Sequence, residues 1–371
     1  MLTDEASPEM PPNPIPSDDG QSRSTAWDPR NVDRRPVSLR AANDFCRRYA
    51  RQHEENFTVA SFFLPRELRR HFYHIYAYCR WSDNLADTSP DTGSALEQLA
   101  QWEQQLDDAY RGRATHPVFV ALTETIEEFQ IPAQPFRDLL SAFRQDQRQT
   151  RYLAVDELLD YCRRSANPVG RLVLHLGRSV DATNLDLSDS ICTGLQLANF
   201  CQDVARDFAR GRIYLPVECW RAHGYIEAMF ERREFNPAFQ SLLSAEVERA
   251  EAALRHGWPL VDRLPGVLAI DVELFVQGGL AILDRIRGQG YDVWRRRPVV
   301  GKWRKLRLLA GAWFRRRFPA YARHPRRDAG KSREGSRVDT EHGSPTVSCP
   351  GVGTPQGESR TPKSLGAKDR P

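Results

Sequence analysis

The sequence has no CxxC pair, and its seven cysteines (Cys46, Cys79, Cys162, Cys192, Cys201, Cys219 and Cys349) are scattered without a matching histidine cluster. That argues against a zinc site and a disulfide framework, and for a reducing compartment. Long apolar runs are missing too. No stretch approaches about eighteen uninterrupted apolar residues, and the nearest, Gly266 to Leu283, contains Asp271, Glu273 and Gln277. The chain is therefore not expected to span a membrane. The first residues, MLTDEASPEMPPNPIPSDDG, lack the basic start and apolar core of a secretion signal, so a cytoplasmic location is expected. Repeats of solenoid length, strand signals and a glycine-rich dinucleotide turn are absent as well.

What is present falls into three parts. Residues 1–37 and about 323–371 are rich in Pro, Ser, Gly, Asp and Arg with little to bury, and read as disordered tails. Residues 38–322 are long enough for one large hydrophobic core and contain no obvious linker, which predicts a single domain. Net charge is only +4 but unevenly spread: from Arg285 to Arg317 there are twelve Lys or Arg and one acid, Asp292. Such a block suits an anionic surface, and peripheral membrane contact through 285–317 is the expectation, with no nucleic acid.

The apolar spacing is helical almost throughout. Leu39, Ala42, Phe45, Cys46 and Tyr49 predict a first helix, and a second runs from about Pro65 to Asp87 with Leu68, Phe72, Ile75, Tyr76 and Cys79 inward. His71 and His74 on that helix read as structural. Helices follow over Leu96–Tyr110, from His116-Pro117 to Ile131-Pro132, and over Phe136–Thr150. Val155–Gly177 is predicted to bend at Pro168 and Gly170, where small residues let another group approach the backbone, as in a cavity wall. The central helix spans Asp186–Gly211 and leaves in extended form through Arg212–Pro216. Phe239–Trp258, Ile270–Arg287 and a segment from Lys302, with Trp303, Leu306, Ala310 and Trp313, complete the pattern. The fold class is all-α.

Two stretches carry chemistry. In QLANFCQDVARDFARGRIYLP, Gln196, Asn199, Asp203 and Asp207 recur at offsets of three, four and four, so a helix stacks them on one face. Carboxylates one turn apart repel by roughly 0.2–0.5 kcal/mol, a sign that a divalent cation between them reverses. In YAYCRWSDNLAD, Asp83 and Asp87 repeat that spacing, with Arg80 one turn back. Two such helices facing each other make an all-oxygen site suited to Mg²⁺, which shares its ligands between carboxylates and phosphate oxygens; a diphosphate ligand follows. Either pair alone is equally well read as a solvated charged face.

These motifs, with DYCRRSANPVG between them, resemble those of the squalene and phytoene synthases over most of residues 40–310. The resemblance implies an all-α isoprenoid synthase fold around a central cavity, Mg²⁺ on its acidic rims, and a prenyl diphosphate substrate. It assigns Asp83, Asp87, Asn199, Asp203 and Asp207 to the metal-diphosphate, the four aspartates and Tyr161 being catalytic. Gln196 lies nearby, and Arg80 holds phosphate oxygens. Ala166, Val169 and Gly170 line the cavity beside Tyr161, Phe57 and Tyr76 are further pocket positions, and Arg296 or Arg297 contacts phosphate.

Two departures bear on the reaction: Asn84 stands where many members have a second Asp, and Gln202 where many have an Arg. With HEENFTVAS they resemble most the hydroxysqualene synthase branch of bacterial hopanoid pathways, in which presqualene diphosphate ionises and water captures the cation. The alternatives are head-to-head condensation of two farnesyl diphosphates, to presqualene diphosphate, squalene or phytoene, and a non-catalytic helical protein that docks on membranes.

Overall fold

The computed structural model describes residues 37–53 and 66–301. They belong to one compact unit that begins at Val37. Phe57, the segment from Lys302 with its tryptophans, and the expected tails, apart from Val37, lie outside the described residues. Within them the chain forms fourteen α-helices. The one departure from helix is an isolated parallel bridge between Arg151 and Ile213.

The helix that carries the first acidic motif, α2 (Arg66–Asp87), follows α1 (Leu39–Gln52). Of the predicted stripe, Phe72 and Ile75 are buried while Leu68, Tyr76 and Cys79 are half-buried; Ala77 and Tyr78, which the spacing did not single out, are buried with them. Several polar groups along the helix find partners. The Tyr78 hydroxyl donates to the Phe136 carbonyl at 2.9 Å, and Trp102 Nε1 donates to Ser82 Oγ at 2.9 Å. His71 and His74 both meet Thr125 Oγ1, at 2.9 and 2.7 Å, which matches their structural reading. Leu39, expected inside, is 43% exposed because it opens the helix just after its Ser38 N-cap.

α3 (Thr92–Tyr110), α4 (Pro117–Phe129) and α5 (Gln134–Asp146) pack around α2. Asp91 caps α3 by accepting from the Ser94 amide at 2.9 Å, and Pro117 opens α4. α5 ends at Asp146, earlier than the predicted Thr150, since Thr150 to Leu153 instead pairs with the stretch leaving the second motif. Ile213 N donates to Thr150 O at 2.9 Å and Val217 N to Tyr152 O at 2.8 Å. The predicted bend is a break: α6 (Val155–Ser165) stops at Ala166 and α7 (Asn167–Leu176) restarts with Pro168 in its first turn.

The axis of the other half is α8 (Ala182–Gln202), capped by Asp181 and packed against α7, α12 (Pro237–Gly257) and α14 (Gly266–Gly288). α8 and α12 run antiparallel at a distance only glycine permits. A Cβ on Gly257 would lie 2.6 Å from the Leu187 carbonyl oxygen, and one on Gly194 would lie 2.9 Å from the Leu254 amide nitrogen. Between them, α9 (Val204–Ala209), α10 (Val217–Ala222), α11 (Glu227–Glu231) and α13 (Leu260–Arg263) are short helices that the periodicity did not separate.

α14 is long and apolar enough to cross a membrane by length and composition. Here it packs on α8, α12 and α13, with Asp271 and Glu273 each 3% exposed, which is how a core helix behaves. The six cysteines among the described residues are free.

Candidate active site

The C-terminal half of α2 and the C-terminal end of α8 face one cavity of about 260 Å³. Asp83 and Asp87 line it from α2; Gln196 and Asn199 line it from α8, Asp203 from the junction that follows α8, and Asp207 from α9. The acids expected to converge do so.

They do not lie on one continuous helix. α8 stops at Gln202, and Asp203 leaves helical geometry at φ −106°, ψ 15°, while its own amide still donates to the Asn199 carbonyl at 2.9 Å. The amides of Arg206 and Asp207 then both donate to the Asp203 carbonyl, at 2.8 and 2.9 Å, and start α9. Asp203 is thus the junction between two helices and presents its own carboxylate there, with Asp207 of α9 following one turn later.

Tyr161, from α6, also lines the cavity. Ala166, Val169, Gly170, Tyr76, Arg80, Arg296 and Arg297 fall outside the lining residues. A Cβ on Gly170 would come within 2.3 Å of Ser188 Oγ and 2.6 Å of Cys192 Sγ. The group that approaches its backbone is therefore α8, and the expected cavity wall at this position is corrected to a helix contact. Tyr76 turns outward to donate its hydroxyl to the His53 carbonyl at 2.8 Å. Arg80 pairs with Asp83 at 2.6 Å. Of the two candidate late arginines, Arg297 reaches the site by pairing with Asp203, whereas Arg296 offers its carbonyl to Gln289 at 3.0 Å.

Several lining residues had no signal in the spacing. Asp146 and Phe143 come from α5, Ser165 from α6, Phe200 from α8, and Arg210, Arg212 and Tyr214 from the exit stretch. The two arginines follow Asp207 closely in ARDFARGRIYLP and were legible as cations, but not as cations turned inward. Phe200 stacks on Tyr214 with centroids 4.1 Å apart, and Tyr214 stacks on Tyr161 at 5.8 Å, so one wall is aromatic.

The acids inside are offset only in part by the arginines around them. Burial first, and Asp87 second, raise the Asp83 carboxyl above its usual range despite Arg80, Arg210 and Arg212. Asp207 is pushed up to about 7 by burial and then by Asp203. Two pairs of acids around one cavity, with Asn199 beside them as a neutral oxygen donor, fit a divalent cation with an oxygen preference. No three Asp, Glu, His or Cys side chains among the described residues close around one point.

The chain is similar to several known proteins. The squalene/phytoene synthase family pattern matches residues 50–304. A squalene synthase, HpnC from Alicyclobacillus acidocaldarius, is 43% identical; the match covers 69% of this chain and 97% of that one, with a TM-score of 0.66. A dehydrosqualene synthase solved with a ligand shares the fold at 24% identity, with a TM-score of 0.69 over 75% of this chain and 98% of the other. Phytoene synthase from Arthrospira platensis is 31% identical over 301 residues, which is 76% of this chain and 96% of the relative.

Proposed function

The chain belongs to the squalene/phytoene synthase family, and from that premise we propose that it is a hydroxysqualene synthase, converting presqualene diphosphate and water to hydroxysqualene and diphosphate. The observation that carries the proposal is the meeting of two acidic helix ends, inward arginines and an aromatic wall around one cavity.

Each part has a task in that reaction. Asp83 and Asp87 on one side, and Asn199, Asp203 and Asp207 on the other, would hold Mg²⁺ with the diphosphate. The metal supplies charge neutralisation as the leaving group departs. Arg210 and Arg212 line the cavity and form no ion pair among the described residues, which leaves their guanidinium groups to phosphate oxygens. Arg80 and Arg297 stand on the rims, each already at a carboxylate of the set.

Departure of diphosphate leaves a carbocation beside Tyr161, Phe200 and Tyr214. Their faces stabilise it by about 0.5–2 kcal/mol per contact. Water then adds to the cation, and no redox step is required.

Two features support the hydroxysqualene branch in particular. Gln202 replaces the cation that many members place before the acid of the second motif. Asn84 turns away from the cavity, donating to the Tyr49 hydroxyl at 2.7 Å, so it adds no third carboxylate to the first rim.

A second reading, head-to-head condensation of two prenyl diphosphates, is favoured by the similarity to phytoene synthases. Incubating the purified protein and Mg²⁺ with each substrate separately decides between them. Hydroxysqualene from presqualene diphosphate supports the proposal. Consumption of farnesyl diphosphate alone defeats it. The comparisons bring no support for the membrane contact expected of 285–317.

A further inference from the structure

The hydroxysqualene reading leaves one proton without an acceptor. When water attacks the carbocation, a lone pair on its oxygen forms the new C–O bond, and the resulting oxonium must lose one proton to become the alcohol. We propose that Ser165 and Tyr161 hold this water and that its proton passes through the Tyr161 hydroxyl to Asp146. The inference rests on the hydroxysqualene reading and names the polar corner of that site where the water is activated.

Tyr161 and Ser165 lie four residues apart on α6, on one face of the helix, and both line the cavity. Asp146, the last residue of α5, lines it as well. The Tyr161 hydroxyl donates to Asp146 Oδ2 at 2.9 Å. This bond sets the direction of transfer: the one proton of the phenol is directed at the carboxylate, so any further hydrogen bond at its oxygen, from a water or from the neighbouring Tyr214 hydroxyl, is one it accepts.

Two polar atoms of this corner lack a partner among the described residues. Ser165 Oγ and Asp146 Oδ1 are both screened from bulk solvent and neither makes a hydrogen bond there. Buried polar atoms of this kind are ordinarily satisfied by water, which needs two to four polar neighbours. The corner therefore suits one water held by Ser165 and Tyr161, against the aromatic wall that faces the cation.

The other cavity acids are placed for different work. Asp83 pairs with Arg80, and Asp203 with Arg297. Asp146 forms no ion pair; its main-chain carbonyl, not its carboxylate, accepts from Arg212 Nη2 at 3.4 Å.

Tyr161 itself is a poor final base. Burial and the neighbouring Asp146 raise its phenol far above the usual range, so it passes a proton on only as it receives one. The carboxyl behind it, raised by burial to about 6, remains able to accept near neutrality. The transfer balances: one O–H bond of water breaks, a phenolic O–H forms as the old one breaks, and the proton ends on Asp146 Oδ2. Asp146 acts through Tyr161 and is a positioning residue for the water chemistry.

The test measures hydroxysqualene formed per diphosphate released, using presqualene diphosphate, Mg²⁺ and water labelled with heavy oxygen. The ratio, not the rate, is the readout, because a purely structural change lowers both amounts together. In wild type the label enters the alcohol. Asp146→Asn and Tyr161→Phe should each lower the ratio by about 100-fold, in favour of hydrocarbon products. Ser165→Ala should lower it by roughly fivefold, and Asp146→Glu should restore part of the loss.

If Asp146→Asn does not fold, Tyr161→Phe, which removes a single hydroxyl, carries the test. Folded variants that keep the wild-type ratio overturn the relay while leaving the hydroxysqualene reading intact. A wild-type protein that releases diphosphate from presqualene diphosphate without making the alcohol overturns both.

Discussion

Arg297 grips Asp203 with two nitrogens: Nε donates to Oδ1 at 2.5 Å and Nη2 to Oδ2 at 2.9 Å. Gln202 holds the arginine in place, accepting from Nη2 at 3.2 Å while its own Nε2 donates to the Pro298 carbonyl at 2.5 Å. The cation that position 202 lacks is thus delivered to the neighbouring acid from position 297, and the buried Gln202 is the tether that brings it there.

Replacing that cation has a definite consequence. Charge-assisted hydrogen bonds contribute about 1.5–3 kcal/mol each, so Arg297→Gln should raise KM for the prenyl diphosphate by roughly 10–100-fold. Gln202→Ala leaves the arginine present but untethered and should raise KM less, by about fivefold. Steady-state kinetics on the two variants check the order. Equal KM for Arg297→Gln and wild type contradicts the assignment of Arg297 to phosphate.

Close approach of α8 and α12 sets where the second acidic motif ends. At Gly257 the obstacle to a side chain is backbone, the Leu187 carbonyl oxygen, which cannot rotate away. Gly257→Ala should therefore destabilise the fold by about 1–3 kcal/mol, measured by urea denaturation. Gly112 has open space around its Cβ position but a φ of +68°, so Gly112→Ala there loses stability through backbone strain instead. An unaltered midpoint for Gly257→Ala would show that the helices do not pack as described.

Asp271 is 3% exposed in apolar α14, and neither carboxylate oxygen has a hydrogen-bond partner. Burial alone raises its carboxyl from 3.8 to about 8. The folded protein therefore keeps the proton at neutral pH, while the unfolded chain releases it above 3.8. Stability from this group is complete below 3.8, erodes as pH rises towards 8, and is gone above about 8. Asp271→Asn, which cannot ionise, should melt at a higher temperature than wild type at pH 9 and differ little at pH 4. A difference that does not grow with pH removes Asp271 as its source.

Much of this architecture was legible in the residues. Phe72 and Ile75 recur at helix spacing and are buried as that spacing requires. The acids were legible because carboxylates one turn apart on an otherwise apolar helix are costly without a cation. What the spacing missed came from tertiary geometry. Gly170 reads as a cavity wall until the position of Ser188 and Cys192 is known, because a small residue reports only that something comes close, not what it is. Tyr76 shares a helix face with Asp83 but is drawn off by the His53 carbonyl. Asp146 sits in a polar run, FRQDQRQT, with no periodic signal; only the end of α5 and the Tyr161 hydroxyl single it out. The break at Asp203 was equally hidden, since the amides on both sides of it still follow nearly helical bonding.

The account stands on acids from two helices sharing one metal-diphosphate. Calorimetric affinity for Mg²⁺ with inorganic diphosphate, measured for wild type, Asp83→Asn, Asp203→Asn and the double variant, tests this directly. Each single change should weaken binding, and the double should be much less than additive, with a coupling of about 0.5–3 kcal/mol. Additive losses, or affinity unchanged by either substitution, would contradict the convergence of the two rims on a common ligand.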